Sequence, residues 1–214
     1  IRKLRLINEC LFVQNSLSKP EKNILDVGAG TGEFLKVCKN NFWNVFGTEP
    51  DNDARNIAIK KGIVLEKDIS KFSTQKFEII TLWHVLEHVE NLSEYISNLN
   101  NMLSDFGRLI IAVPNFKSED AKYYKEFWAA FDVPRHLWHF SQQSIHTLFL
   151  NERMLVEKTI PMKYDSYYVS LLSEKYKNGK INYIKALFRG FISNWKARTS
   201  SEYSSLIYVI KKQN

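Results

Sequence analysis

The chain has 214 residues, of which 44% are hydrophobic and 25% charged, a balance that excludes a disordered, collagen-like or coiled-coil chain. No apolar run approaches the roughly 20 residues that span a bilayer, and the first residues turn polar too soon for a signal peptide. The net charge is +7, and residues 163–198 hold eight cations against two acids, so this segment carries nearly all of the excess. Cys10 and Cys38 form no CxxC pair, which excludes a disulfide scaffold or zinc ribbon and favours a reducing, cytoplasmic setting.

Hydrophobic periodicity predicts a single domain that begins with an amphipathic helix. The helix covers residues 2–18 of an N-terminal unit, 1–20, which Lys19-Pro20 ends. The unit 21–115 then alternates short apolar runs with helical stretches, as expected for βαβ units in a parallel sheet. Its predicted strands are 23–27, 44–48, 63–65, 77–82 and 108–113, and its predicted helices are 31–39, 51–61 and 92–103.

The alternation stops after Pro114. Residues 116–140 are predicted to form an irregular excursion beside the active site, and Ser141 is predicted to cap a helix that ends at Leu150. Two late strands are predicted at 154–160 and 205–211. Between them, residues 163–200 form a basic, aromatic-rich insertion with helical character.

A glycine-rich turn follows the first predicted strand in Ile24-Leu25-Asp26-Val27-Gly28-Ala29-Gly30-Thr31-Gly32-Glu33. Glycines at the carboxyl end of a parallel strand let backbone amides approach a ligand closely, so a dinucleotide or a phosphate would fit. Glu33, however, stands where a dinucleotide fingerprint needs its third glycine, and no Lys-Ser/Thr pair follows as in a phosphate loop. A purely structural turn remains an alternative.

Acidic residues follow three successive strands of the prediction. Asp26 ends the first strand, Glu49 follows the second, and Asp68 follows the third. Glu49 comes 19 residues after Gly30, a spacing at which an acid typically binds ribose hydroxyls. A carboxylate at Asp68 can accept a hydrogen bond from an adenine amino group. These positions indicate a nucleoside site.

These motifs resemble those of the class I S-adenosylmethionine-dependent methyltransferases. "ILDVGAGTGEFL" is similar to the first motif of that family, "GTEPD" to the second, and Asp68-Ile69 to the third. "FEIITLWHVLEHV" and "GRLIIAVPN" resemble the fourth and fifth strands of its ubiquinone-type O-methyltransferase branch. The resemblance implies an α/β, Rossmann-like, mostly parallel sheet of seven strands, the last antiparallel, with helices on both faces and a helical lid.

The same resemblance implies that S-adenosylmethionine is the cofactor and S-adenosylhomocysteine (SAH) the product. It assigns residues to the amino-acid end, the ribose, the adenine and the methionine part of the cofactor, with Trp83 and His84 lining the path to the acceptor. The residues implied to bind the cofactor are Asp26, Gly28, Ala29, Gly30, Glu49, Pro50, Asp68, Ile69, Thr81, Leu82 and Trp83.

Four histidines fall in two groups, His84-x-x-Glu87-His88 and Pro134-Arg135-His136-Leu137-Trp138-His139. Three interpretations remain open for the predicted catalytic residues His84, Glu87, His88 and His136. The side chains hold loops in place, or His84 or His136 is a general base, or a divalent metal binds there with His136 or His139 completing the set. Small-RNA 2′-O-methyltransferases have a similar E-x-x-E-H element around magnesium. His84 replaces the first glutamate of that element, which favours zinc or manganese.

Lys and Arg alternate with aromatic residues in the basic insertion. This pattern suits a lid over the substrate, but it also suits contact with bases and phosphates or with an anionic membrane surface. The expected acceptor is accordingly a small molecule, anionic or glycan- or lipid-linked, and a nucleic acid is less favoured because the sequence contains no basic patch elsewhere. The predicted function is methyl transfer, with oxygen as the acceptor atom. An NAD-type oxidoreductase and a catalytically silent nucleotide-binding partner protein are the alternatives.

Overall fold

A computed structural model describes residues 2–12 and 22–213 of the chain. It contains six strands: β1 (Asn23–Val27), β2 (Asn44–Thr48), β3 (Phe77–Trp83), β4 (Leu103–Pro114), β5 (Met154–Pro161) and β6 (Ser205–Lys212). Its α-helices are α1 (Arg2–Phe12), α2 (Glu33–Lys39), α3 (Asn52–Lys60), α4 (Leu92–Met102), α5 (Glu119–Tyr124), α6 (Gln142–Asn151), α7 (Asp165–Asn178) and α8 (Tyr183–Ser200).

The strands form one sheet in the order β2-β1-β3-β4-β6-β5. Strands β1 to β4 pair in parallel, whereas β6 lies between β4 and β5 and is antiparallel to both. The order reverses beside β1, because β2 lies on one side of it and β3 on the other. In open α/β sheets this switch point, at the carboxyl ends of the strands, is where ligands bind. The predicted Rossmann-like architecture with an antiparallel last strand is confirmed.

The prediction of seven strands is wrong, because the described residues form six. Within the described part of the chain, residues 63–65 pair with no strand, although Ile63 and Leu65 are buried, and the only pairing near them is an isolated bridge between Thr48 and Glu66. Strand β4 begins at Leu103 instead of residue 108 and runs through Gly107. The part of the predicted first helix beyond Phe12 lies outside the described residues.

Hydrophobic side chains cover both faces of the sheet. Leu25 and Val27 point into one core cluster, and Ile24 points into the other, as the alternation of side chains along a strand requires. Helix α1 packs with α2 on the second face through Ile7. Among the described helices, none is both long enough and apolar enough to cross a membrane.

A third cluster joins the predicted excursion and the basic insertion. The excursion contains α5 and two short 3₁₀ turns, and α7 and α8 pack against it. Tyr124 and Trp128 are fully buried there against Val169. The insertion is helical, as predicted, and it shares a core with the excursion.

Candidate functional site

The two glycines of the turn after β1 differ in their surroundings. Gly28 has φ +70°, and a Cβ at this position would lie 2.5 Å from Cγ2 of Val85, so neighbouring packing requires glycine. Gly30 has φ +54°, but a Cβ there would meet no atom of the described residues within 4 Å. Open space beside Gly30 is what close approach of a ligand to the backbone needs.

Glu49 braces this turn from the end of β2. Its Oε2 accepts a hydrogen bond from the Gly30 N–H at 2.8 Å, and its Oε1 accepts one from the Asp51 N–H at 3.0 Å. Ala29 donates its N–H to the Thr48 carbonyl at 2.8 Å, which ties the turn to β2. Each carboxylate oxygen of Glu49 keeps a second lone pair that can accept from a hydroxyl.

Asp26 lies below the turn and is only 2% exposed. The Thr81 hydroxyl, on the neighbouring β3, donates to its Oδ1 at 2.5 Å. Burial raises the pKa of Asp26 to about 7, although the Thr81 hydrogen bond and the charge of Lys3 act in the opposite direction. A carboxyl that titrates near neutrality at a strand end is a functional-site feature.

Three other residues predicted to bind the cofactor have different surroundings in the structure. The Leu82 side chain is fully buried in the core, so only its backbone can face a ligand. Trp83 packs edge-on against Phe34, and the Lys3 ammonium lies 4.1 Å from its ring centroid. The Pro50 carbonyl accepts a hydrogen bond from Arg55 at 2.8 Å.

Asp68 is exposed and caps the 3₁₀ turn that begins at Ile69. It accepts hydrogen bonds from the hydroxyl and the backbone N–H of Ser70, and these bonds lower its pKa. Ile69 packs against the core beside it. The two residues line a cavity of about 420 Å³ that also includes Asn98.

His84 occupies a strained position directly after β3. Its φ of +57° is uncommon for a residue other than glycine, and such strain is concentrated at functional sites. Nδ1 lies 3.3 Å from Glu87 Oε1, and Nε2 lies 3.4 Å from Asp165 Oδ2. Burial alone lowers the pKa of His84, but the hydrogen bonds and charges of Asp165 and Glu87 outweigh burial and raise it to about 9. At neutral pH His84 therefore holds a proton and is a donor.

His88 and His136 lie together, with ring centroids 4.7 Å apart. The His88 Nδ1 is 2.9 Å from the Arg135 carbonyl, and the His136 Nδ1 is 2.9 Å from the Ala130 carbonyl. Burial lowers the pKa of His136, against the effects of the Ala130 carbonyl and the Glu87 charge. His136 is therefore the neutral histidine of the predicted pair of bases.

His139 lies apart from this pair and places its Nε2 3.0 Å from the Phe131 carbonyl. Glu87 is fully buried beside His88 and His136, and one potential ligand atom from each of these three residues lies within 4.8 Å of the others. The structure thus brings Glu87, His88 and His136 together, and His84 contacts the group only through Glu87.

Two cavities adjoin at Asp165, which contacts His84. One has about 530 Å³ and is lined by His84, His136, Tyr168 and Tyr176, among others. The other has about 370 Å³ and lies beside Trp83 under α1. Met162, Tyr164 and Asp165 line both cavities, so the contact between His84 and Asp165 lies where they adjoin.

The aromatic residues of the basic insertion point largely outward. On α8 the spacing of the exposed side chains puts them on one helical face. This exposed stripe consists of Ile184, Leu187, Phe188, Phe191 and Trp195. A third cavity, of about 650 Å³, lies between this helix and the end of β5; Lys163 and Arg198 line it, and none of its described lining residues is acidic.

Three residues near these cavities were not predicted from the sequence. Lys3 reaches Trp83 and Asp26 from α1, Val85 fills the space over Gly28, and Asp165 contacts His84. No local pattern marks them, because each meets its partner through packing between elements distant in sequence. An acid inside a strongly basic segment is the one sequence signal that could have drawn attention to Asp165.

Comparison with known proteins gives consistent matches. A family model described as "Methyltransferase domain" matches residues 3–152. An uncharacterised methyltransferase of Staphylococcus carnosus is 30% identical over 122 residues, which are 54% of this chain and 58% of that protein. An uncharacterised protein of Methanocaldococcus jannaschii is 31% identical over 93 residues, 43% of this chain and 37% of that protein. The matches therefore span less than two thirds of these relatives.

Solved structures share the fold at low identity. Magnesium protoporphyrin IX methyltransferase from Synechocystis, with bound SAH, aligns with a TM-score of 0.61 and 14% identity, covering 97% of this chain and 80% of that one. A putative sarcosine dimethylglycine methyltransferase from Galdieria sulphuraria aligns with a TM-score of 0.64 and 9% identity, covering 99% and 86%.

Proposed function

The chain belongs to the methyltransferase-domain family, and we propose that it transfers a methyl group from S-adenosylmethionine to a hydroxyl oxygen of a small, anionic acceptor. The observation that carries the cofactor assignment is the arrangement of Asp26, Gly30 and Glu49 at the switch point of the sheet. A buried acid, an open glycine and a bracing carboxylate lie there at the ends of adjacent strands. An NAD-type enzyme is less well supported, because Glu33 occupies the third glycine position.

The donors and acceptors present fit this cofactor. Asp26 can pair with the ammonium group of its amino-acid end, and the free lone pairs of Glu49 can accept from ribose hydroxyls. Asp68 and Ile69 would contact the adenine, as the resemblance implies. S-adenosylmethionine, when bound, supplies a methyl group on a reactive sulfonium, so the protein mainly has to position the acceptor.

Gly30 and Gly62 provide a matched test of this site. Both have positive φ, and a Cβ at either position would meet nothing within 4 Å, so alanine costs each a similar strain of about 1 kcal/mol. Only Gly30 lies at the proposed cofactor site. We therefore expect Gly30→Ala to weaken SAH binding about tenfold or more, and Gly62→Ala to leave it unchanged, as measured by calorimetry.

The same titration repeated with NAD separates the two cofactor classes. Wild-type protein that binds NAD but not SAH would refute the proposal. Equal SAH affinity in the Gly30 and Gly62 variants would remove the turn from the cofactor site. Cofactor binding without methyl transfer to any acceptor would favour the silent-partner alternative.

The lining of the 530 Å³ cavity supports the assignment of a hydroxyl acceptor, which must lose a proton. Its wall contains His136, whose neutral ring has one Nε2 lone pair, which can either accept a hydroxyl proton or hold a cation that acidifies the hydroxyl. The adjoining 650 Å³ cavity supports an anionic acceptor, because Lys163 and Arg198 line it without an opposing acid. Its aromatic lining includes Tyr167 and Trp195, which would pack against a sugar or lipid portion.

A methyl-transfer screen tests the acceptor class. We expect phospho-sugars and lipid-linked glycans to yield SAH and an O-methylated product, and their neutral analogues to react poorly. Lys163→Ala and Arg198→Ala should each raise KM for the anionic acceptor about tenfold while leaving SAH affinity unchanged. A product methylated on nitrogen, or equal KM values for charged and neutral acceptors, would contradict this assignment.

A further inference from the structure

Glu87 has a buried oxygen that the fold leaves unused. The residue is fully buried, and Oε2 has no hydrogen-bond partner among the described residues, whereas Oε1 contacts His84. An unpartnered carboxylate oxygen in a low-dielectric interior is costly, because it loses its hydration without compensation. Most buried polar atoms in folded proteins do find a partner, so this one requires an explanation.

The two histidines beside Glu87 share a hydrogen-bonding pattern. The Nδ1 atoms of His88 and His136 each face a backbone carbonyl at 2.9 Å. Because a carbonyl oxygen only accepts, Nδ1 must carry the proton in each ring, which leaves the lone pair of the neutral ring on Nε2. Metal-binding histidines are usually fixed in this way, with the nitrogen opposite the metal donating to a carbonyl.

From these observations we propose that Glu87, His88 and His136 form a binding site for one divalent transition-metal ion. Ligand atoms held at about 2.1 Å around a tetrahedral ion are roughly 3.4 Å apart. The measured separations, within 4.8 Å, are somewhat larger, and rotation of the exposed His88 side chain can reduce them.

The donor set selects the class of ion. Two imidazoles and one carboxylate suit ions of the Mn²⁺ to Zn²⁺ series better than Mg²⁺ or Ca²⁺, which prefer oxygen ligands. Three protein ligands also leave coordination positions open, as in catalytic metal sites. Because His136 lines the 530 Å³ cavity, the ion would lie at the wall where the acceptor is proposed to bind.

The surrounding residues define the limits of the site. Both ring nitrogens of His84 contact carboxylates, so His84 holds Glu87 in place and is not a ligand. His139 is likewise outside the group. Asp132 Oδ2 is 3.8 Å from His136 Nε2, too far for a hydrogen bond, and it pairs with Arg135 at 2.7 Å.

Metal binding can be measured without reference to methyl transfer. The full chain, freed of its affinity tag and stripped with a chelator, is titrated with Co²⁺ as a visible probe and then with Zn²⁺. We expect one tightly held Co²⁺ per chain, with absorption typical of nitrogen and oxygen ligands, and its displacement by Zn²⁺. His88→Ala and His136→Ala should each weaken binding roughly 100-fold or more.

His139→Ala and His146→Ala are the matched controls, because each removes an imidazole outside the group. They should bind Co²⁺ as wild type does. Since His88 is exposed, His88→Ala should unfold at the same temperature as metal-free wild type, which separates ligand loss from misfolding. Failure of wild type to bind Co²⁺ or Zn²⁺, or equal losses in all four variants, would overturn the site. Either result would leave the SAH measurements unaffected.

Discussion

Asp120→Ala is expected to reduce the free energy of unfolding by roughly 3 kcal/mol or more. Asp120 is 1% exposed and accepts three hydrogen bonds from three separate segments of the chain. The Trp128 indole N–H donates at 2.8 Å, and the hydroxyls of Ser193 and Ser204 each donate at 2.6 Å. Alanine would leave these buried donors without their acceptor, and each orphaned donor costs about 1–3 kcal/mol. Urea denaturation of both proteins measures the difference.

Glu119→Ala is the matched control, because Glu119 precedes Asp120 on the same helix. Its carboxylate pairs with Lys122 at 2.9 Å and with Lys196 at 2.7 Å, but both lysines are more than half exposed. Such pairs contribute less than about 1 kcal/mol. A similar loss of stability in the two variants would show that Asp120 does not hold these elements together.

The same pair of variants tests the prediction that the basic insertion is a lid. Asp120 connects α5 to α8 and to the start of β6, and thereby holds the insertion against the excursion. If the insertion covers the acceptor only, Asp120→Ala should increase hydrogen exchange in α7 and α8 and slow turnover, while SAH affinity stays the same. Loss of SAH affinity would instead assign the insertion to the cofactor site.

Strands buried on both faces were predictable because their apolar runs and their boundaries are local features. The segment 63–65 was predicted as a strand from the same signal, since Ile63 and Leu65 are apolar and buried. Among the described residues, the only backbone bridge near this segment joins the next residue, Glu66, to Thr48 of β2, because pairing depends on the path of the chain after α3. The predicted strand at 108–113 begins directly after Gly107, yet Gly107 lies inside β4, where a Cβ would come within 2.9 Å of the Phe77 carbonyl. Close approach of two strands explains this glycine better than a turn does.

The candidate site likewise contains residues that the sequence identifies and contacts that it does not. Gly30 and Glu49 were found from spacing, and the structure joins them by a hydrogen bond. The histidine groups were found from composition, but the sequence could not tell which members meet. His84 turns towards Asp165 on α7, while His88 and His136 meet across a loop. These choices depend on contacts between segments 48 to 81 residues apart, on which local patterns carry no information.

Asp26→Asn is expected to change the free energy of unfolding of the unliganded protein more favourably at about pH 8 than at about pH 5. The difference between these two changes should be roughly 3 kcal/mol. Burial raises the pKa of Asp26 from its ordinary value of 3.8 to about 7. Between these values the unfolded carboxyl ionises while the folded one keeps its proton, so wild type loses stability as the pH rises. Above about pH 7 both states are ionised and the penalty stays constant. Asparagine does not titrate, so urea denaturation of both proteins across this range isolates the effect.

Other groups near Asp26 are common to both proteins. Lys3 approaches from α1, Cys38 from α2 and Glu49 from the end of β2. Asp68→Asn is the control: Asp68 is exposed and its pKa is lowered, so its replacement should not make the protein more stable as the pH rises. A difference between Asp26→Asn and wild type that does not change with pH would show that Asp26 is already ionised at about pH 5.

Cofactor binding should lower the pKa of Asp26, so that the carboxyl loses its proton. An ammonium group within about 4–6 Å favours the ionised carboxyl, so SAH is expected to bind wild type more tightly as the pH rises to about 7, with release of a proton. Asp26→Asn should lose this pH dependence and bind about tenfold more weakly at pH 8. Calorimetry in buffers of different ionisation enthalpy measures the released proton directly, and its absence would remove Asp26 from the amino-acid end of the site. A carboxyl that destabilises the empty fold would then be retained because it supplies the charge that the cofactor needs.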